Sequence, residues 1–223
     1  MPAPAPDPAP ARFAALVPVK PPAFAKSRLA ELGDDARRDL ATAFAADTVA
    51  AAVACDPVER VLVVTDDHEL ARGLAGLGVD VLPDGTSEDL NGTLRLAAAE
   101  AHRRWPGLRL LALCADLPSL RPAELAAALV EAASRPLAFV ADQDGVGTTA
   151  VMAADVATFT PAFGPASRQR HLDAGAHEID GIDVPTLRRD VDDPAALQHA
   201  LALGVGPRTA LVSTLLGLRA RPV

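Results

Sequence analysis

The chain is 223 residues long, enough for one large domain that buries a core of its own. Hydrophobic residues make up 50% of it but aromatics only 3%, with no Tyr, so that core has to be built from Ala, Leu and Val. A formal net charge of -8, without a basic stripe interleaved with aromatics, argues against nucleic acid as a partner.

Residues 1–11 alternate Pro and Ala with neither a basic start nor a continuous apolar segment, which reads as a flexible tail rather than a secretory signal, followed by a single domain over 12–223. Phe13 to Val19 is a short apolar run ended by proline and predicts a first strand buried on both faces. Asp35 to Cys55 predicts a long helix, with Leu40, Phe44 and Thr48 spaced for one buried face. Arg60 to Val64 predicts the second strand, Asp66 the N-cap of a helix running to Leu77, and Val79 to Leu82 the third strand. Leu90 to Arg104 predicts a helix, Leu108 to Cys114 a fourth strand, and Pro122 opens a helix running to Ala133. Leu137 to Ala141 and Thr149 to Ala153 predict two more strands around the turn 143–147. Pro161 to Ser167 reads as a loop, Arg168 to Ala176 as a short helix and His177 to Val184 as an edge strand. Pro194 to Leu203, capped by Asp193, and Pro207 to Leu218 are the last helices.

That order implies an α/β domain of three α/β/α layers around a mainly parallel mixed sheet, with its active crevice at the carboxyl ends of the strands. The loops after Val19, Leu82 and Ala115 then share one rim. Cys55 and Cys114 are the sole cysteines and read as small core residues of a reducing compartment; without CxxC or a Cys/His cluster, structural zinc is not expected. No apolar stretch approaches the roughly 18 to 20 residues that span a bilayer, and a cytoplasmic location away from membranes is expected. The oligomeric state stays open, a homodimer among the options.

Three stretches carry chemistry. Asp116 ends the apolar run 108–115 and precedes Leu117-Pro118, which puts a carboxylate on the rim where a divalent cation could bridge it to a phosphate; the competing role is a cap for the next helix. In Asp190-Val191-Asp192-Asp193-Pro194 the alternation of an extended chain points Asp190 and Asp192 the same way while Asp193 caps a helix, and with Asp116 they form an oxygen-only set suited to Mg2+; a solvated turn is the alternative. Lys20, Lys26 and Arg28 follow the first strand closely and could clamp a triphosphate, against the alternative of a solvated basic loop. Neither GxxxxGK[ST] nor GxGxxG occurs, which disfavours a P-loop enzyme and a dinucleotide dehydrogenase.

VPVKPPAFAKSRLA at the first loop, PDGTSEDLNGTLRLA at 83–97, CADLPSL at 114–120, DGVGTTAVM at 144–152, FGPASRQRH at 163–171 and RDVDDPAAL at 189–197 occur in one order. This series resembles the guanylyltransferase family of coenzyme F420 biosynthesis, which joins GMP to 2-phospho-L-lactate or phosphoenolpyruvate, and it spans nearly the whole chain after the tail. The resemblance implies a nucleotidyltransferase-type domain, with metal carboxylates at Asp116, Asp190 and Asp192 and the acceptor's phosphate and carboxylate held at Thr148, Gly164 and Ser167. It implies GTP as the second partner, bound near Asn91; the clamp of Lys20, Lys26 and Arg28 is expected to take up the charge of the leaving pyrophosphate, with Asp116, Lys26 and Arg28 as the catalytic groups. For Asn91 the alternative role is a helix cap, and for Arg168 and His171 a surface arginine and a capping histidine rather than added charge at the acceptor. Ala166 and Asp89 stand where relatives commonly carry glycine. Phosphoenolpyruvate is the expected acceptor, because the Ala, Pro and Arg bias suits a bacterial relative; 2-phospho-L-lactate and 3-phosphoglycerate are the alternatives. The rivals are a nucleotidyltransferase for molybdopterin or a sugar phosphate, which usually opens with a glycine-rich loop that 19–27 lacks, and a non-catalytic GTP-binding regulator.

Overall fold

A computed structural model describes residues 10–20, 27–85 and 89–219, so most of the expected tail lies outside the described residues. Seven strands form one mixed sheet: β1 Phe13–Pro18, β2 Val58–Val64, β3 Asp80–Leu82, β4 Arg109–Leu113, β5 Leu137–Ala141, β6 Thr148–Ala153 and β7 His177–Glu178. Their order across the sheet is β3-β2-β1-β4-β6-β5-β7. β6 alone among them runs antiparallel to its neighbours β4 and β5; the remaining pairs are parallel. The helices are α1 Asp34–Val53, α2 His68–Ala75, α3 Leu90–Arg104, α4 Pro122–Ala132, α5 Ser167–Asp173, α6 Pro194–Leu203 and α7 Pro207–Leu215, with a 3-10 helix at Ser27–Leu32.

The near-continuous apolar strands are buried on both faces because each face carries a helix layer. On one, α1, α2 and α4 pack on Ala15, Val17, Val63, Leu111 and Val140. On the other, α3 packs through Leu94, Ala97, Ala98 and Ala101 on Leu16, Leu62, Leu110 and Ala112. The alanine-rich helices suit this arrangement, since a small side chain lets a helix sit close on a sheet without leaving a void. A third cluster joins Leu40 and Phe44 of α1 to Leu29, Val191, Leu197 and Ala200, and so docks the C-terminal helices beside α1.

Two expectations are corrected. The helix α2 is capped by Asp67 rather than Asp66: the Asp67 carboxylate accepts from the Glu69 and Leu70 amides at 3.0 and 2.9 Å. Asp66 instead accepts from the Asp84 amide at 2.9 Å, tying the loop after β3 to the end of β2. The edge strand expected over 177–184 is ordered as β structure only at His177–Glu178. The run Asp180-Gly181-Ile182-Asp183 has little strand propensity, and the segment is held by dropping Ile179 and Val184 into the core, each 1% exposed.

One buried hydroxyl braces the loop after β4. Thr48, fully buried on α1, donates to the Phe44 carbonyl at 2.8 Å or to the Ala115 carbonyl at 3.2 Å, and accepts from the Leu117 amide at 3.0 Å. Thr48→Val keeps the shape and leaves a buried amide without its acceptor, so a loss of about 1 to 3 kcal/mol in urea unfolding is expected; a change below about 0.5 kcal/mol would remove Thr48 as a brace.

Candidate active site

Because β1 to β5 are mutually parallel and β6 is not, the carboxyl ends of the first five strands and the first residue of β6, Thr148, meet on one rim. Asp116 stands on that rim just past β4. The Val191 amide donates to the Asp116 carbonyl at 3.0 Å, and the Val191 side chain is fully buried with Leu29, Leu40, Phe44 and Leu197. With Val191 pulled inward, its neighbours Asp190 and Asp192 are left to turn the other way. The carboxylates of Asp116, Asp190 and Asp192 each place an oxygen within 4.8 Å of the others. Asp116 and Asp190 are half-buried and Asp192 is exposed. Asp193 stays out of the group and caps α6, accepting from the Ala196 amide at 2.8 Å.

Three like charges at this spacing repel by roughly 1 to 4 kcal/mol per pair, according to how well water screens them. A divalent cation converts that repulsion into attraction, and an oxygen-only donor set of hard carboxylates fits Mg2+ better than a softer metal.

A loop over 161–167 is held from several sides. The Cys114 amide donates to the Thr149 carbonyl at 2.9 Å, which sets Thr148 alongside the stretch that leads to Asp116. The Thr148 hydroxyl is 3.0 Å from His171 Nδ1, and the Ala162 amide donates to His171 Nε2 at 3.0 Å. Asn91, in the first turn of α3, grips the Phe163 peptide with both ends of its amide, donating to the carbonyl at 3.0 Å and accepting from the amide at 2.8 Å. Arg170 donates to the same carbonyl at 2.7 Å. Asn91 is therefore not the cap, a position held by Asp89, and it joins the first turn of α3 to the loop over 161–167. Gly164 has φ +115 and faces Arg170 so closely that a Cβ there would lie 2.9 Å from the guanidinium. Ser167, 2% exposed, opens α5 and donates its amide to the Gly164 carbonyl at 3.1 Å.

Ala166 is, among the described residues, the non-glycine with positive φ, at φ 53. The left-handed conformation costs an alanine about 1 kcal/mol and a glycine almost nothing. Arg168 is held by Glu178 at 2.9 and 3.0 Å, so its charge is matched away from the loop. His171 is no capping residue on a surface. It is fully buried, stacked on Phe139 at 5.4 Å and edge-on to Phe163 at 5.6 Å. Lys20 is exposed just beyond β1, and Arg28 falls in the 3-10 helix Ser27–Leu32, while Lys26 lies outside the described residues.

Two outcomes follow from this geometry. Ala166→Gly should raise stability by up to about 1 kcal/mol in urea unfolding, and Ala166→Val should lower it, since a β-branched residue tolerates positive φ worst; the reverse order would contradict the assigned conformation. Burial pushes the His171 pKa from 6.5 down to about 4, opposed by the Ser167 carbonyl and aided by the neighbouring Arg170 charge. The unfolded chain then binds the proton first, so this contribution is complete above pH 6.5 and is lost as pH falls towards 4. The stability difference between the wild type and His171→Phe should accordingly shrink by up to about 3 kcal/mol over that window, and a constant difference would show that the ring titrates normally.

The family described as guanylyl transferase CofC-like matches residues 13–201 of this chain. The chain is 51% identical over 200 residues to the phosphoenolpyruvate guanylyltransferase of Thermomonospora curvata, covering 89% of this chain and 87% of the relative. It is 50% identical over 199 residues to the phosphoenolpyruvate guanylyltransferase of Streptomyces coelicolor, covering 89% of this chain and 94% of the relative. Among solved structures, a Desulfovibrio desulfuricans G20 protein considered a nucleotide-diphospho-sugar transferase superposes with a TM-score of 0.68 at 16% identity, covering 92% of this chain and 96% of its own. A nucleotidyl transferase from Methanothermobacter superposes with a TM-score of 0.57 at 18% identity, covering 86% of this chain and 98% of its own. Those two establish the nucleotidyltransferase-type fold, and the closer relatives establish more: this chain belongs to the guanylyl transferase CofC-like family.

Proposed function

We propose that this guanylyltransferase-family protein transfers GMP from GTP to phosphoenolpyruvate, giving enolpyruvyl-diphospho-guanosine and pyrophosphate, as a step of coenzyme F420 biosynthesis. The observation that carries the reading is the convergence of Asp116, Asp190 and Asp192 within 4.8 Å at the rim, in a chain about half identical to phosphoenolpyruvate guanylyltransferases. An oxygen of the acceptor phosphate forms the new bond to the α-phosphorus of GTP while the bond from that phosphorus to the β-phosphate oxygen breaks. A phosphate dianion is already a nucleophile, so the chain needs neither a nucleophilic side chain nor a general base. Its work is to bring two anions together in line and to exclude competing water.

Asp116, Asp190 and Asp192 would hold Mg2+, which when bound offsets the repulsion between the two phosphates. Thr148, Gly164 and Ser167 would receive the carboxylate and phosphate of the acceptor through hydroxyl and backbone donors, next to the acids. Lys20, Lys26 and Arg28 would meet the charge that accumulates on the leaving pyrophosphate. Asn91 gives the two halves a mechanical link, because the residue at the start of α3 holds the Phe163 peptide of the acceptor loop. Membership of the guanylyl transferase CofC-like family supports guanine as the base.

Asp116→Asn, folded by circular dichroism, should lose at least about a hundredfold in Mg2+-dependent pyrophosphate release and weaken Mn2+ binding in calorimetry; near-normal turnover would take Asp116 out of the chemistry. Assay of GTP with phosphoenolpyruvate, 2-phospho-L-lactate and 3-phosphoglycerate in turn tests the acceptor. The three acids differ by small groups that binding separates by only about 1 to 3 kcal/mol, so kcat/KM rather than a single rate is the deciding quantity. Preference for either of the latter two would overturn the acceptor, and GTP binding without pyrophosphate from any of them would leave a regulator on the same fold.

A further inference from the structure

Strand β6 and the 161–167 loop meet at a side chain that the proposed chemistry leaves unused. His171 is fully buried between Phe139 and Phe163, and each of its ring nitrogens has a partner. The partner of Nε2 is the Ala162 amide at 3.0 Å, and a backbone N–H can only donate. Nε2 therefore carries the lone pair, and in the neutral ring the proton sits on Nδ1. The Thr148 hydroxyl lies 3.0 Å from Nδ1 and must accept from it. A hydroxyl has one proton to give, and this contact leaves that proton pointing elsewhere. The Ser167 carbonyl also faces the ring and favours a proton on it.

We propose that His171 is a positioning residue for the acceptor: it fixes the Thr148 hydroxyl as a donor towards an anionic oxygen and, through its other nitrogen, holds the loop that carries Gly164 against it. Carboxylate and phosphate oxygens only accept, so a hydroxyl locked in the donating sense binds them, whereas one free to rotate offers a lone pair part of the time. The ring does so without bringing a charge of its own, which would pull the acceptor out of line with the α-phosphate. A protonated ring would also set an N–H against the Ala162 amide and push the loop away. The inference rests on the reading of Thr148 as an acceptor contact made under Proposed function.

The test measures KM for phosphoenolpyruvate and for GTP separately, with kcat, in the wild type, His171→Phe, His171→Asn, Thr148→Val and the double variant Thr148→Val/His171→Phe. Phe keeps the aromatic stacking and removes both polar contacts, while Asn restores an N–H close to the Nδ1 position. His171→Phe should raise the acceptor KM about tenfold, the size of one lost hydrogen bond to a charged group, with the GTP KM almost unchanged. His171→Asn should recover most of the loss, and in the Thr148→Val background the His171 change should add less than about twofold. If Thr148→Val raises the acceptor KM while folded His171→Phe does not, this inference fails and the acceptor site stands. Equal changes in both KM values and kcat, without rescue by Asn, would mark a purely structural role and also overturn it. If Thr148→Val has no effect, the acceptor-site reading fails and takes this one with it. Should His171→Phe not fold, His171→Asn and a 15N spectrum of the wild-type histidines decide: the proton belongs on Nδ1, and finding it on Nε2 refutes the proposal.

Discussion

The site depends on one backbone hydrogen bond and the apolar side chain that backs it. Val191 donates its amide to the Asp116 carbonyl and buries its isopropyl group among Leu29, Leu40, Phe44 and Leu197. An extended backbone cannot point consecutive residues the same way, so fixing Val191 inward turns both of its acidic neighbours out. Hydrophobic burial, worth roughly 1.5 to 3 kcal/mol for such a side chain, thereby holds together charges that would otherwise separate. The cluster that receives Val191 also includes Leu197 and Ala200 of α6, so the docking of the C-terminal helices and the placement of two carboxylates are one event.

The same economy governs the other side of the rim. The 161–167 loop has little regular structure of its own, yet it is tied to the helices α3 and α5: Asn91 and Arg170 hold the Phe163 backbone, and His171 holds the Ala162 amide. Gly164 and Ala166 absorb the backbone conformations that this path requires. A pocket for a small, doubly anionic acid needs donors fixed before the ligand arrives, because donors that must be ordered on binding cost affinity. Here the ordering of the loop is carried by Asn91, Arg170 and His171.

Much of this was legible in the chain. The parallel sheet follows from short apolar runs alternating with helical patterns, and the placement of Asp190 and Asp192 beside Asp116 and of Asp193 as a cap follows from a two-residue period and a proline after the cap. What was not legible is instructive for physical reasons. Asp66 and Asp67 are chemically identical neighbours, and only the backbone geometry decides which one reaches the amides of α2. The extent of β7 was lost because Ile179 and Val184 supply an apolar pattern that buries without pairing. His171 looked like a surface cap since its partners lie 23 and 9 residues away in sequence, and a contact of that kind has no local signature. Its one hint was the spacing from Ser167, a single helical turn, which places both on the inner side of α5.

The central claim, that Asp116, Asp190 and Asp192 share one hard cation beside the acceptor loop, is tested most directly by anomalous scattering from crystals grown with Mn2+, GTP and phosphoenolpyruvate. The account predicts a metal peak about 2.1 Å from an oxygen of each of the three carboxylates and in contact with the nucleotide phosphates. A metal bound elsewhere on the chain, with Asp190 and Asp192 turned away from Asp116, would contradict it.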